Sequence, residues 1–268
     1  MSQAFVDFEQ QDSIIILRLN RPASRNAIAT HQDCKDLVEA LVRLQTIPQA
    51  RCAVLTGNGS AFCAGGDLKA MKARSGIGAL DSPAATRDNY RRGVQSVIRT
   101  LWDCEIPIIA AINGAAIGLG CDLATLCDLR IASAKAKFAS SFINVGLIPG
   151  DGGAWILPRA VGLAKASEMI FTGEVLDAED ALSWGLVSRV VDADQLLTEA
   201  MKLAQKIASQ PAVSVRLAKR LLHEGQQQRL SDILELSSAY QALSHETDDH
   251  AEAVDAFVEK RPANFSGT

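Results

Sequence analysis

Residues 106–128 read IPIIAAINGAAIGLGCDLATLCD, and the fold follows from how this stretch divides. The apolar run 108–112, with Pro107 at its entrance, has the length and composition of a buried strand. Asn113-Gly114 ends it. The small residues 115–120 then lead into Asp122, at what reads as a helix start. Glycines let the backbone turn tightly and approach a ligand, and the first amides of a helix lack intrahelical acceptors. Such an end attracts negative charge. The combination reads as a reaction centre or, more plainly, as a strand-to-helix turn in which glycine serves packing.

A second turn of the same kind lies upstream. Residues 52–56 form a short buried strand, and Gly57-Asn58-Gly59 a turn. Ala61-Phe62-Cys63-Ala64-Gly65-Gly66-Asp67-Leu68 then opens a helix over 68–73. Two glycine turns can each aim a free backbone amide, Gly66 from one and Leu119 from the other, at a single point. A pair of such donors makes an oxyanion hole, each worth about 2.7–4 kcal/mol where one has been removed from an enzyme. The backbone donates, so the leucine side chain is no obstacle.

The rest of the chain supplies an α/β frame. Residues 4–9 and 13–19 alternate as strands around a turn at Gln10-Gln11-Asp12. Thr30 caps a helix to about Gln45 with Leu37, Leu41 and Leu44 inward. Residues 75–86 have loop composition, and 87–103 reads as one helix. A strand at 129–132 follows, then a mostly irregular run over 138–153 and a short helix over 164–171. Residues 178–184 read as helix and 187–191 as strand. Beyond Asp194 the period is helical, broken at Gln210-Pro211 and Glu224-Gly225. A core over 1–200 and a helical segment over 201–268 form one structural unit.

Composition narrows the function. Of 268 residues, 48% are hydrophobic and 22% charged, enough for a sizeable core. A net charge of −4 and 5% aromatics speak against nucleic-acid binding. The six cysteines form no CxxC pair and have no histidine beside them, so no metal site is expected, only buried thiols in a reducing compartment. MSQAFVDFEQQDS lacks a basic stretch followed by an apolar run, and no segment has membrane-spanning length, which predicts a cytoplasmic protein. Gly118-Leu119-Gly120 starts a dinucleotide fingerprint that fails at Leu123. A serine hydrolase needs a placed histidine. His31, His223, His245 and His250 lie at a helix start or in the helical tail, where surface roles are expected, and Ser140-Ser141 has no evident base.

Nearly the whole chain resembles the crotonase superfamily, the enoyl-CoA hydratase/isomerase family. The resemblance rests on Leu19-Asn20-Arg21-Pro22, Asn26-Ala27, both glycine turns, Pro107 to Gly114, Cys127-Asp128, Gly146-Leu147-Ile148-Pro149-Gly150, Phe257 and Lys260-Arg261-Pro262. It implies a spiral of ββα units, a C-terminal helical oligomerisation region and a homotrimer or a hexamer built from two trimers. It implies an acyl-CoA thioester whose carbonyl sits between the Gly66 and Leu119 amides. Coenzyme A arrives with the substrate, and no separate cofactor is required. Residues 21–27 would line the CoA groove, with Arg25 near phosphates. Ala27, Ala64, Asp67, Leu68 and Lys69 would border it, as would Lys260 from a neighbouring subunit.

Hydratases of this family set two glutamates across the site. Here the first position is Asp122 and the second, twenty residues on, is Phe142. Phenylalanine neither holds nor activates water. Asp151, in Pro149-Gly150-Asp151-Gly152-Gly153, lies where some isomerising, cyclising or cleaving members carry an aspartate. The inventory therefore favours double-bond isomerisation, with Asp122 and Asp151 moving the proton along an apolar wall that includes Phe142. The alternatives are hydration or C–C cleavage with Asp151 as base, and a non-catalytic acyl-CoA-binding member. Asp128, beside Arg130, reads as a structural ion pair, and Asp67 as a helix cap.

Overall fold

The computed structural model describes residues 4–268. Met1, Ser2 and Gln3, part of the stretch read for a leader, lie outside the described residues. Strands β1 (Val6–Gln11) and β2 (Ile14–Leu19) form an antiparallel hairpin with Val6 opposite Leu19. Gln10 and Gln11 stay in β1, so the reversal falls one step later than expected, on Asp12 and Ser13. Asp12 takes φ 52°, a conformation its short polar side chain tolerates. Helix α1 (His31–Thr46) starts where Thr30 predicts. The Thr30 hydroxyl accepts from the Asp33 amide, and the Asp33 carboxylate accepts from the Thr30 amide.

The chain then repeats one device three times: a strand, a short second strand, and helix. The first turn is β3 (Cys52–Gly57), β4 (Ala61–Cys63), then α2 (Leu68–Lys72), α3 (Pro83–Arg92) and α4 (Val94–Trp102). The second is β5 (Ile108–Ile112), β6 (Ala115–Ile117) and α5 (Leu119–Leu126). The third is β7 (Leu129–Ser133), β8 (Lys137–Ala139) and α6 (Gly153–Thr172). After these come β9 (Leu176–Asp177), α7 (Ala178–Ser183), β10 (Arg189–Val191) and α8 (Leu196–Ala208). The first strand of each turn joins a six-stranded sheet, β1-β2-β3-β5-β7-β10, parallel from β2 onward. The second joins a four-stranded sheet, β4-β6-β8-β9.

Strands β3 and β5 carry apolar residues on both faces because both faces are covered. Ala53, Leu55, Ile108 and Ala110 join the main core with Leu37, Leu41 and Leu44 of α1 and Val94, Val97 and Leu101 of α4. Cys52, Val54, Ile109 and Ala111 meet Leu196, Ala200, Ala204 and Ala208 of α8. Residue 200 thus lies inside a helix packed on the sheet. The more exposed tail is α9 (Ala212–Glu224), α10 (Leu230–His245) and α11 (Asp248–Glu259). No helix among the described residues is long and apolar enough to cross a membrane.

Four segments depart from the sequence reading. The single helix expected over 87–103 is two, α3 and α4, parted at Gly93 with ψ −114°. The expected loop 75–86 ends early, because the Ser82 hydroxyl caps α3 by accepting from the Ala85 amide. Helix α6 begins at Gly153 and bends at Gly162, whose φ of 77° is non-helical. The bend rotates the apolar face, so only its second half shows as a regular pattern. The run expected to be irregular over 138–153 contains part of β8 and a 3-10 turn, Ser141–Val145.

Candidate active site

The two glycine turns touch. Gly65 has φ +86°, and a methyl there would lie 2.6 Å from the Ile117 carbonyl oxygen and 3.6 Å from the Leu119 nitrogen. Gly118 has φ 54° and ψ −120°, a conformation only glycine takes without strain, and it sets the direction in which α5 leaves β6. Among the described residues, neither the Gly66 amide nor the Leu119 amide has an acceptor. Their neighbours are tied down: Ile28 donates its amide to the Gly65 oxygen at 2.9 Å, Ala64 to Arg25 at 3.0 Å, and Gly118 to Ala139 at 2.8 Å. Two free amides are thus held on a rigid backbone at the contact between β4 and α5.

Asp122 lies in the first turn of α5 and is fully buried. One carboxylate oxygen accepts from the Gly153 amide at 3.1 Å, and the other has no partner. A methyl at Gly153 would come within 2.4 Å of that second oxygen, so glycine is what lets α6 approach the carboxylate. Burial, then the charge of Asp151, raises the Asp122 carboxyl well above the usual carboxylate range, and the Gly153 amide opposes this. Asp151 is also buried, at 4% exposure, and its Oδ1 has no partner. Among the described residues its side chain has no hydrogen-bond partner that would hold the turn. Burial pushes its carboxyl up to about 6. Two buried carboxyls thus face the same region, and burial disfavours the ionised form of both.

Phe142 sits in the 3-10 turn with its ring edge 3.6 Å from where a Gly118 methyl would be, so it walls the second glycine turn. Arg25 ends a short 3-10 turn at φ 53°, exposed, with its carbonyl bound to Ala64. Ala27 and Ala64 are half-buried beside it. Leu68 and Lys69 are exposed at the start of α2. Asp67 caps that helix, accepting from the Lys69 and Ala70 amides at 2.7 and 3.2 Å, so its carboxylate is engaged with backbone. Lys260 ends α11 in the helical tail, exposed, with φ 56°.

Several residues had more structure around them than the sequence showed. Asn26 is fully buried and donates to the carbonyls of Asn58, Ala61 and Phe62, pinning the 21–27 segment to β4. Tyr90 lies against Gly150 and feels the Asp151 charge. Ser140, next to the carbonyl that holds Gly118, has a buried hydroxyl without a partner. His31, exposed as expected, also meets the Asn89 side chain. The signals were faint because each depends on a contact distant in sequence.

The Asp128–Arg130 ion pair does not form. Asp128 instead accepts from Lys219 at 2.8 Å and from the Ile108 amide at 2.8 Å, with His223 at 3.4 Å. Arg130 donates to the carbonyls of Leu186, Thr125 and Cys127. Asp128 precedes β7, the Arg130 guanidinium is committed to those backbone carbonyls, and α9 brings Lys219 to Asp128 instead. His223 is correspondingly half-buried, stacked on Trp102 at 3.8 Å, and not a surface residue. No group of three or more metal-binding side chains occurs among the described residues.

The two-sheet ββα repeat that carries these groups is a known fold. The enoyl-CoA hydratase/isomerase family model matches residues 9–268. The chain belongs to that family. It is 34% identical over 266 residues to a crotonyl-CoA hydratase of Syntrophomonas wolfei, covering 99% of each chain. It is 35% identical to a 1,2-epoxyphenylacetyl-CoA isomerase of Escherichia coli, covering 98% of each. An enoyl-CoA hydratase structure from Bacillus anthracis superposes with a TM-score of 0.91 at 31% identity, over 98% of this chain and 100% of that one. The crotonase spiral expected from sequence is the fold, and the chain is an acyl-CoA enzyme of a family that includes both hydratases and isomerases.

Proposed function

We propose that this enzyme moves a double bond along an enoyl-CoA chain by proton transfer between carbons. The carrying observation is the buried Asp122–Asp151 pair with one unpartnered oxygen on each, next to a site wall made by Phe142. Buried carboxyl oxygens without partners are rare in folded proteins, and a substrate proton would satisfy them. Arg25, Ala27, Ala64, Leu68 and Lys69 border the CoA groove, and the Gly66 and Leu119 amides hold the thioester oxygen. Asp151, ionised, takes a proton from the carbon chain. The enolate charge settles on the oxygen between the two amides. Asp122 acts as the acid that delivers a proton to the other carbon, and exchange between the carboxyls restores the pair.

Product analysis separates the readings. Isomerisation leaves the mass of a 3-enoyl-CoA unchanged while converting it to the conjugated 2-enoyl form, with one deuteron gained in heavy water. Addition of water to crotonyl-CoA at a comparable rate would replace this reading by hydration with Asp151 as base. Fragments would indicate cleavage.

Association into a homotrimer or hexamer in the cytoplasm belongs to the same proposal. Leu222, Leu230, Leu234, Phe257 and Val258 of the tail helices are 57% exposed or more, which supports burial against other copies. Lys260 would then reach a neighbour's CoA groove. Sedimentation gives the copy number.

A further inference from the structure

We infer that the cavity next to Asp151 selects acyl chains ending in a carboxylate, which Arg87 and Arg91 of α3 bind. This rests on the acyl-CoA seat proposed above, and it names the class of acyl group. The cavity measures about 390 Å³. Tyr90, Leu147, Ile148 and Gly150 line it, and Gln95 fixes that wall by donating to the Gly150 carbonyl at 3.1 Å. Gly150 immediately precedes Asp151, and Tyr90 of the cavity wall lies close enough to Asp151 to feel its charge, so the cavity stands beside that carboxyl. A methyl at Gly150 would lie 3.7 Å from the Tyr90 ring, so the ring and the turn pack closely. Leu147 and Ile148 suit a methylene stem.

Arg87 and Arg91 also line the cavity. They are four residues apart on α3 and so share one face. Neither is neutralised by the protein. Among the described residues Arg87 meets only Asp88, at 3.7 Å, with side chains 68% and 57% exposed, a pair that solvent screens. Among the described residues Arg91 forms no ion pair. Arg91 lies in the last turn of α3, where the helix dipole favours cations with or without a ligand. Two guanidinium forks at the edge of an otherwise apolar and amide-lined space fit a carboxylate, which accepts paired N–H bonds. A chain ending in a methyl leaves both cations in water and gains nothing from them.

The phosphates of coenzyme A are another anion these arginines could meet, and a matched pair of thioesters separates the sources. Titration calorimetry uses the saturated, unreactive adipyl-CoA and hexanoyl-CoA, which share chain length and the whole of CoA. The native enzyme is expected to bind adipyl-CoA at least about tenfold tighter. In the Arg87→Gln/Arg91→Gln enzyme that preference disappears while hexanoyl-CoA affinity stays as it was. Equal weakening of both thioesters would assign the arginines to CoA phosphates and overturn the inference, as would a native enzyme with no preference. The readout is binding, so a failed isomerisation assay leaves the result interpretable. Both arginines are exposed, and an unchanged melting temperature checks that the variant is folded.

Discussion

Asp122 and Asp128 stand at the two ends of α5, the first fully buried and the second half-buried, with opposite electrostatics. Asp128, just past the helix, accepts from the Ile108 amide and Lys219 and has His223 beside it. His223 and Lys219 hold its carboxyl below the usual range although burial pulls the other way. Asp122, in the first turn, has one backbone amide and a second carboxyl as neighbours, and it is raised. The difference is the number of compensating partners. A buried carboxylate with a full set is structural. One left short of partners stores unmet proton affinity, which is what acid–base chemistry needs.

Substitution tests the contrast directly. Asp122→Asn should lower turnover roughly 100- to 10,000-fold with acyl-CoA binding retained; steady-state rates beside calorimetric affinities check this, and unchanged turnover would remove Asp122 from the mechanism. Asp128→Ala should do the reverse. It strands Lys219, 8% exposed, without its counter-charge, and should cost roughly 3 kcal/mol of stability by denaturant unfolding. Turnover per folded molecule should stay near native. A collapse of activity there, at full stability, would erase the distinction between the two aspartates.

A smaller effect probes the geometry. Gly153→Ala places a methyl 2.4 Å from an Asp122 oxygen and should turn the carboxyl aside. Turnover should fall about tenfold with affinity unchanged. The pH dependence is the mildest test. Asp151 titrates near 6 in the fold against an ordinary 3.8. Between those values the fold holds more protons than the unfolded chain, so stability falls as pH rises through that window. Asp122, raised by burial and by the Asp151 charge, acts in the same direction. Asp128, lowered in the fold, acts the other way: its stabilisation is present above the ordinary carboxylate value and is lost as pH drops through the folded one. Activity should climb with pH through a midpoint at about 6 as Asp151 ionises and level off above it, measured as kcat/KM.

The parts of this site visible in sequence are those that local rules write. Two glycine turns, each between an apolar strand and a helix start, mark Gly66 and Leu119, because tight turns demand glycine nearby. Thr30 and Asp67 announce their helices by side-chain capping. The twenty-residue interval from Asp122 to Phe142 carries the change in chemistry. What stayed hidden depends on approach between distant segments. Arg130 sits next to Asp128 in sequence, yet Lys219 of α9 is the partner. Asn26 gives no local sign of the three carbonyls it bridges. The third spiral turn is obscured because β8 is three residues long and α6 bends at Gly162.

All six cysteines are buried, and burial pushes the thiols of Cys34, Cys52, Cys63, Cys121 and Cys127 up to about 12. At physiological pH almost none is thiolate, so alkylating reagents and peroxides find no nucleophile while the molecule is closed. The cysteines sit in α1, in strands β3 and β4, ahead of β5, and within and after α5. A thiol-reactive dye added to the native enzyme therefore works as a clock for opening events, and its labelling order maps which layer of the spiral comes apart first.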